Sequence, residues 1–255
     1  MALLDIGNVT MRFGGLTAVS EFSETIAENA LVGLIGPNGA GKTTVFNMIT
    51  GVYTPTTGTI TLESRSIAGR KPFQIAHAGI ARTFQNIRLF PSLSVSDNVR
   101  IGFNRLARNR FVGSIFQLAG YQREEENFTR ETDQLLEKFG LLDKRDELAR
   151  NLSYGDQRRV EIVRAMATRP RLLLLDEPAA GMNPTEKSEL MALIRYLRDT
   201  FGIAIMLIEH DMKVVMGICE RVTVLDYGIK IASGTPEEVK NDPRVVEAYL
   251  GESAH

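Results

Sequence analysis

The sequence predicts an α/β protein with a helical portion inserted into a sheet core, and three observations carry that prediction. First, the apolar segment Leu31–Ile35 runs into a glycine-rich stretch, Gly36–Thr44, and then into Val45–Ile49, so a buried strand turns into a helix there. Second, Arg171–Leu175 is a short strand of four leucines ending in Asp176-Glu177, as expected in the middle of a parallel sheet covered on both faces. Third, from about Asn86 to Asn151 strand-like runs stop and helical periodicity takes over, most clearly over Glu124–Phe139. The chain is therefore expected to be a single domain over 1–255, with a core of 1–85 and 152–255 and a helical subdomain at 86–151. Internal repeats and Pro/Ser-rich linkers are absent, which fits one folding unit.

Composition narrows the function. Thirty basic residues against 31 acidic ones leave a net charge of −1, so no global field draws nucleic acid or an anionic membrane surface. No nucleic-acid partner is expected. The one cysteine, Cys219, permits no internal disulfide and lies in an apolar segment, where it reads as a small core filler. The start Met1–Asp5 lacks a basic region followed by a long apolar run, so no secretory signal is expected. The longest apolar runs, such as Ile203–Ile208, fall far short of the roughly 20 residues of a spanning helix. Membrane association then has to go through another protein.

Taken in order, Leu3–Val9 reads as a strand and Met11–Gly15 as a turn before the alternating segment Leu16–Ile26. Phe13, in a Gly-flanked loop, is placed either to stack on a purine ring or simply to pack. Strand Ala30–Ile35 leads into Gly36-Pro37-Asn38-Gly39-Ala40-Gly41-Lys42-Thr43-Thr44, the P-loop pattern in its strand-to-helix context. Gly36 and Gly41 let the backbone curl around an anion in conformations a Cβ would obstruct. Lys42 is expected to reach the β/γ-phosphates, Thr43 to ligand Mg²⁺, and the free amides of the helix beginning near Lys42 to add positive charge. Asn38, Gly39, Ala40 and Thr44 complete the expected phosphate-binding stretch. Gly51 stops that helix, and Gly58–Leu62 follows as a strand.

Arg82-Thr83-Phe84-Gln85 leads into the helical portion. Within it, Asn104–Glu126 carries three arginines, a run of apolar residues and three glutamates, read either as an amphipathic patch or as short helices covering the lobe. Leu152-Ser153-Tyr154-Gly155-Asp156-Gln157 opens a further helix with Ser153 as a natural N-cap. A carboxylate such as Asp176 at the tip of a buried strand, downstream of a P-loop, is where Mg²⁺ is held in P-loop NTPases. Glu177 is then one residue nearer the γ-phosphate, where it can orient and deprotonate water. The alternative for these acids is to cap the following helix. Pro184–Asp199 reads as a helix and Ile203–Ile208 as a strand, and Glu209-His210-Asp211 closes it at the same sheet edge as Glu177. His210 is placed to hydrogen-bond a γ-phosphate or to be a plain surface turn residue. Val222–Asp226 with Ile229–Ala232 reads as a hairpin, and Pro236–Val239 and Pro243–Leu250 as closing helices.

With the P-loop, Gln85, Leu152–Gln157, Asp176-Glu177 and His210 in that order, the chain resembles the ATP-binding subunit of ABC transporters over essentially its whole length. The resemblance implies a P-loop NTPase of ABC type, with a mixed sheet core, an N-terminal antiparallel β part and the inserted helical subdomain. It implies that Phe13 stacks on adenine, that Gln85 touches Mg²⁺ and senses the transporter, and that Asp176 is the Walker B carboxylate. Glu177 resembles the catalytic base, His210 the switch histidine, and Ala180-Gly181-Met182-Asn183 the loop linking two ATP sites, with Asn183 in place of the usual aspartate. The signature segment departs from the family's Leu-Ser-Gly-Gly-Gln at Tyr154 and Asp156 but keeps Ser153 and Gly155. The form Leu-Ser-Tyr-Gly-Asp-Gln-Arg-Arg-Val-Glu-Ile is similar to the ATPase of branched-chain amino-acid importers.

That resemblance implies ATP and Mg²⁺ as cofactors and a head-to-tail dimer with a second ATP-binding subunit, a paralogue or a second copy. In that dimer Ser153 and Gly155 of one subunit act on the other's ATP. It also implies two transmembrane permease subunits, indirectly a periplasmic or extracellular amino-acid-binding protein, and a peripheral position on the cytoplasmic face of the membrane. The alternatives are the ATPase of a urea/amide importer or a lipopolysaccharide exporter, and, more remotely, a soluble ABC ATPase or nucleotide sensor. No Asn-Lys-x-Asp segment for guanine recognition is present.

Overall fold

A computed structural model describes residues 1–103 and 119–250. Met1–Gln85 together with the chain from Arg171 onward forms one compact unit, and Asn86–Pro170 forms another.

In the first unit, β1 (Ala2–Phe13) and β2 (Leu16–Ala27) form a long hairpin. The turn expected at Met11–Gly15 is confined to Gly14-Gly15, because Met11 still pairs with Val19 and Arg12 with Thr17. Asn8 and Glu21, both at positive φ, fall where the β1–β2 register shifts. A buried strand, β3 (Leu31–Ile35), precedes helix α1 (Lys42–Ile49). Then come β4 (Thr57–Leu62), β5 (Arg65–Ser66), helix α2 (Pro72–Ala78) and β6 (Ile80–Arg82). Among the described residues of the other unit, the α-helices that intervene are α3 (Val95–Phe103), α4 (Ala119–Lys138) and α5 (Tyr154–Ala167). The first unit resumes with β7 (Leu172–Asp176), α6 (Pro184–Phe201), β8 (Ala204–Ile208) and α7 (Met212–Ile218). It ends with the hairpin β9 (Arg221–Asp226) and β10 (Ile229–Gly234), then α8 (Pro236–Lys240) and α9 (Pro243–Leu250).

These strands form two sheets. One is antiparallel, in the order β2-β1-β4-β5; the other has six strands in the order β10-β9-β3-β8-β7-β6. The larger sheet is parallel from β9 to β6 and closes with β10 antiparallel at its edge, so the core is mixed. Its central strands β3, β7 and β8 are buried at every residue, the pattern of a sheet covered on both faces. Leu34 pairs with Ile208, Asp176 with Ile208, and Arg82 with Leu174. The carboxyl ends of β3, β6, β7 and β8 therefore share one sheet edge, the edge at which open α/β sheets bind ligands.

The helical unit runs from Asn86 to Pro170, so it includes the segment 152–170 that the sequence assigned to the nucleotide-binding core. The reason is packing between helices. A Cβ on Gly102 of α3 would lie 2.5 Å from the Arg164 carbonyl oxygen and 2.7 Å from the Ala167 Cβ, so α3 and α5 cross nearly in backbone contact. Phe103 stacks on Phe128 of α4 at 5.2 Å. In α5 the guanidinium of Arg158, fully buried, pairs with Glu161 at 2.7 Å. Glu161 also accepts the Arg88 amide at 3.1 Å, which fastens the 86–90 segment to α5. Helix α4 takes in nearly all of the expected Glu124–Phe139. Of the Asn104–Glu126 stretch, residues 104–118 lie outside the described residues.

Candidate functional site: a P-loop with carboxylates at the sheet edge

The loop between β3 and α1 is shaped by glycine. Gly36 has φ +147° and a Cβ there would meet the Leu225 carbonyl oxygen at 1.9 Å; Gly41, the residue ahead of α1, has φ +101° and would meet the Ala18 carbonyl oxygen at 2.7 Å. No other residue fits either position without moving backbone. Asn38 and Gly39 are exposed, Ala40 is buried, and the Gly228 amide donates to the Ala40 carbonyl at 3.0 Å, which buttresses the loop from the β9–β10 hairpin. Lys42 lies folded into the loop and its Nζ donates to the carbonyls of Gly36 (2.6 Å) and Pro37 (2.7 Å). Thr43 is exposed and Thr44 half-buried in the first turn of α1.

At the same edge, Asp176 ends β7 and is buried. Its Oδ2 takes a hydrogen bond from Arg82 Nη2 at 2.6 Å, an ion pair with both side chains almost wholly out of water. Arg82 Nη1 also donates to Asn47 Oδ1 of α1 at 2.7 Å, and its guanidinium lies 5.4 Å from the centre of the Phe46 ring and 5.1 Å from that of Phe84. Arg82 thus ties Asp176 to the P-loop helix and to the residue preceding Gln85. The sequence reading gave it no role. The sequence offers only a basic residue three positions before Gln85, which does not by itself name a partner.

Glu177 follows in a left-handed backbone conformation, φ +47°, held by its amide donating to the Ile208 carbonyl at 2.9 Å. That conformation aims the half-buried carboxylate along the sheet edge. Gln85 Nε2 donates to Glu177 Oε2 at 2.8 Å, and His210 Nδ1 lies 3.7 Å from the same oxygen. His210 is exposed, on the turn after β8. Phe13, at the end of β1, is 42% exposed and meets Tyr53 in a T-shaped arrangement with ring centres 5.1 Å apart, so part of the ring is packed and part is open to solvent. Asn183 caps α6, its side chain accepting from the Glu186 amide at 3.0 Å.

The first unit therefore brings together the P-loop, Gln85, Asp176, Glu177 and His210, and Phe13 belongs to the same unit. Ser153 and Gly155 belong to the helical unit, at the start of α5. Ser153 caps that helix as expected: its hydroxyl accepts from the Asp156 amide at 3.2 Å and donates to the Asp156 carboxylate at 2.9 Å. Burial raises the Asp156 pKa, but hydrogen bonds from Lys144, at 2.6 Å, and Ser153 outweigh it and hold the carboxyl below its ordinary value.

A doubly covered α/β sheet with a P-loop at its carboxyl edge defines a phosphate-binding protein of the P-loop class. Comparison with known proteins then places it within that class. The model of the ABC transporter family matches residues 19–180, well over half of the chain, and the chain belongs to that family. A second model, described as branched-chain amino acid ATP-binding cassette transporter, matches residues 230–255. Among curated relatives, the high-affinity branched-chain amino acid transport ATP-binding protein LivG of Salmonella typhimurium is 47% identical over 251 residues, 98% of each chain. BraF of Pseudomonas aeruginosa, with the same description, is 44% identical over 98% of each chain. Among solved structures, an ATP-binding cassette of an ABC transporter in its ADP conformation superposes with a TM-score of 0.85, at 30% identity over 98% of this chain and 99% of that one.

Proposed function

We propose that the chain is the ATP-hydrolysing subunit of an importer for branched-chain amino acids. The observation that carries the hydrolytic part is the Glu177 carboxylate, hydrogen-bonded by Gln85 and 3.7 Å from His210, at the sheet edge that also carries the P-loop. Whole-length likeness to LivG and BraF supports the solute class.

The chain's own residues account for the steps. The P-loop amides and the N-terminus of α1 receive the polyphosphate of ATP, and Lys42 exchanges its loop carbonyls for the β/γ-phosphate oxygens. Phe13, 42% exposed beside Tyr53, offers the open part of its ring to the adenine. Glu177 accepts the proton of the attacking water, Gln85 fixes that carboxylate, and His210 meets the γ-phosphate. Asp176, Thr43 and Gln85 would hold Mg²⁺ through one carboxylate, one hydroxyl and one amide oxygen, a hard oxygen set that fits that ion. When bound, Mg²⁺ neutralises charge on the phosphate oxygens.

Ser153 and Gly155 act on the ATP of a second ATP-binding subunit, a paralogue or another copy, in a head-to-tail dimer. Two permease subunits complete the transporter, and a periplasmic or extracellular amino-acid-binding protein delivers the solute. The subunit is then peripheral, on the cytoplasmic face of the membrane and held there by the permeases; among the described residues no helix is long and apolar enough to cross a membrane.

The test is isolation of the chain with its accompanying membrane proteins, and ATP turnover measured with Glu177→Gln alongside. The expected result is two permeases, a second ATPase and turnover stimulated by a leucine-type binding protein. Loss of general-base action lowers turnover about 10²–10⁴-fold in Glu177→Gln while ATP binding persists. Unchanged turnover in that variant would overturn the role of Glu177. Recovery with a lipopolysaccharide-export bridge instead would overturn the solute class.

A further inference from the structure

Glu209 follows β8, is 1% exposed and lies between two loops of the site; burial raises its pKa, and the backbone amides it accepts work against that rise. Its Oε1 accepts the Ala179 amide at 2.7 Å; its Oε2 accepts the amides of His210 at 3.2 Å and Asp211 at 3.4 Å. Ala179 belongs to the turn that begins at Glu177, where the Ala180 amide donates back to the Glu177 carbonyl at 3.2 Å. A second tie lies on the other side of His210. Asp211 caps α7 through the amides of Lys213 and Val214, and it takes Lys187 Nζ of α6 at 2.5 Å. His210 is thus flanked by two carboxylates, both anchored to the segment that follows Glu177. Burying a carboxylate this deeply is costly unless its acceptor sites are used, and here amides from both loops use them.

We propose that Glu209 is a positioning residue for ATP hydrolysis, fastening the turn that carries Glu177 to the turn that carries His210 and so fixing the separation of those two side chains. The Lys187–Asp211 pair is the outer half of the same clamp. The inference rests on the roles given above to Glu177 and His210. A glutamine at position 209 turns its NH₂ group toward one of the two sets of backbone N–H groups, donor against donor, and releases that loop. An aspartate is one methylene too short to reach both.

The experiment compares Glu209→Gln, Lys187→Met and Glu177→Gln in the full-length chain isolated with its membrane partners. It measures turnover at saturating ATP, the KM for ATP and equilibrium ATP affinity. A displacement of about 1 Å in reacting groups costs on the order of 10²-fold in rate. Glu209→Gln is therefore expected to lose roughly 10–100-fold in kcat, with KM and ATP affinity within about twofold, because it touches no P-loop residue. Lys187→Met is expected to give a smaller loss of the same kind, and it reads the clamp from a half-buried position if Glu209→Gln does not fold. Turnover within twofold of the wild type in the folded Glu209→Gln variant, or in Lys187→Met if Glu209→Gln does not fold, overturns the proposal, provided Glu177→Gln is slow. Turnover and ATP affinity falling together overturn it also, since that is a structural loss. If Glu177→Gln turns over normally, the reading of the site falls instead.

Discussion

Asp176 and Arg82 form the most consequential pair of side chains in the site, because neither has water to fall back on. Removing one partner of a buried pair strands the other charge and costs about 3–5 kcal/mol. Arg82→Ala is expected to lower unfolding stability by that amount in a urea titration, whereas Arg82→Lys, which keeps the charge but loses the guanidinium placed over Phe46 and Phe84, is expected to lose less. Individual residues were unequally legible in the sequence. Gly36, Gly41 and the Asp176-Glu177 pair could be read because their chemistry dictates local spacing. Arg82 and Glu209 could not, because their partners are 94 and 30 residues away and only the sheet register brings them together. The left-handed backbone of Glu177 was equally invisible, since it is set by the Ile208 carbonyl on the neighbouring strand.

Elements are governed by what they pack against, and α5 shows this best. The sequence correctly opened a helix after Ser153 but assigned it to the nucleotide-binding core, for nothing in its own residues announces that Gly102 of α3 is the surface it presses on. Gly102→Ala is expected to destabilise the helical unit by about 1–3 kcal/mol, the usual cost of overpacking, read as a lowered midpoint in helix-sensitive circular dichroism. The start of α5 carries a pH signature. Asp156 has a depressed pKa, so its contribution is present above the ordinary carboxyl value of 3.8 and is lost as pH falls through its lower folded value. Lys144 has a raised pKa, caused first by its hydrogen bond to Asp156, so its contribution is present below 10.5 and is lost as pH rises through its higher folded value. For this partly exposed pair the stabilisation is at most about 1 kcal/mol. Asp156→Asn is expected to be less stable than the wild type near neutral pH, with the difference shrinking as pH falls below 3.8, in thermal melts across that range. Strands β5 and β6 escaped the sequence because two- and three-residue runs carry no period.

The molecule as a whole is arranged so that four strand ends deliver one site while the sheet behind them stays dry. Cys219 lies in that dry region, against Gly33 of β3, and burial pushes its thiol up to about 12. A thiol-specific reagent is therefore expected to leave the native chain unmodified and to react only as the first unit unfolds, so its rate follows unfolding of the central sheet. The α/β class, the inserted helical portion and the family were legible because the P-loop, Gln85, the Ser153 segment and His210 occur in a fixed order. Which residues cross-link the two loops at the sheet edge depended on three-dimensional register alone.

The position of Lys42 alters what nucleotide binding means here. Its ammonium is solvated by the carbonyls of Gly36 and Pro37, so the loop is cross-linked by its own cation. An arriving phosphate competes with two backbone dipoles for that ammonium, and the measured affinity is the difference between two occupied states. A Lys42→Met chain then lacks both an anion partner and the brace that shapes the loop before the anion comes. Weak ATP binding by such a variant reports lost preorganisation as much as lost charge.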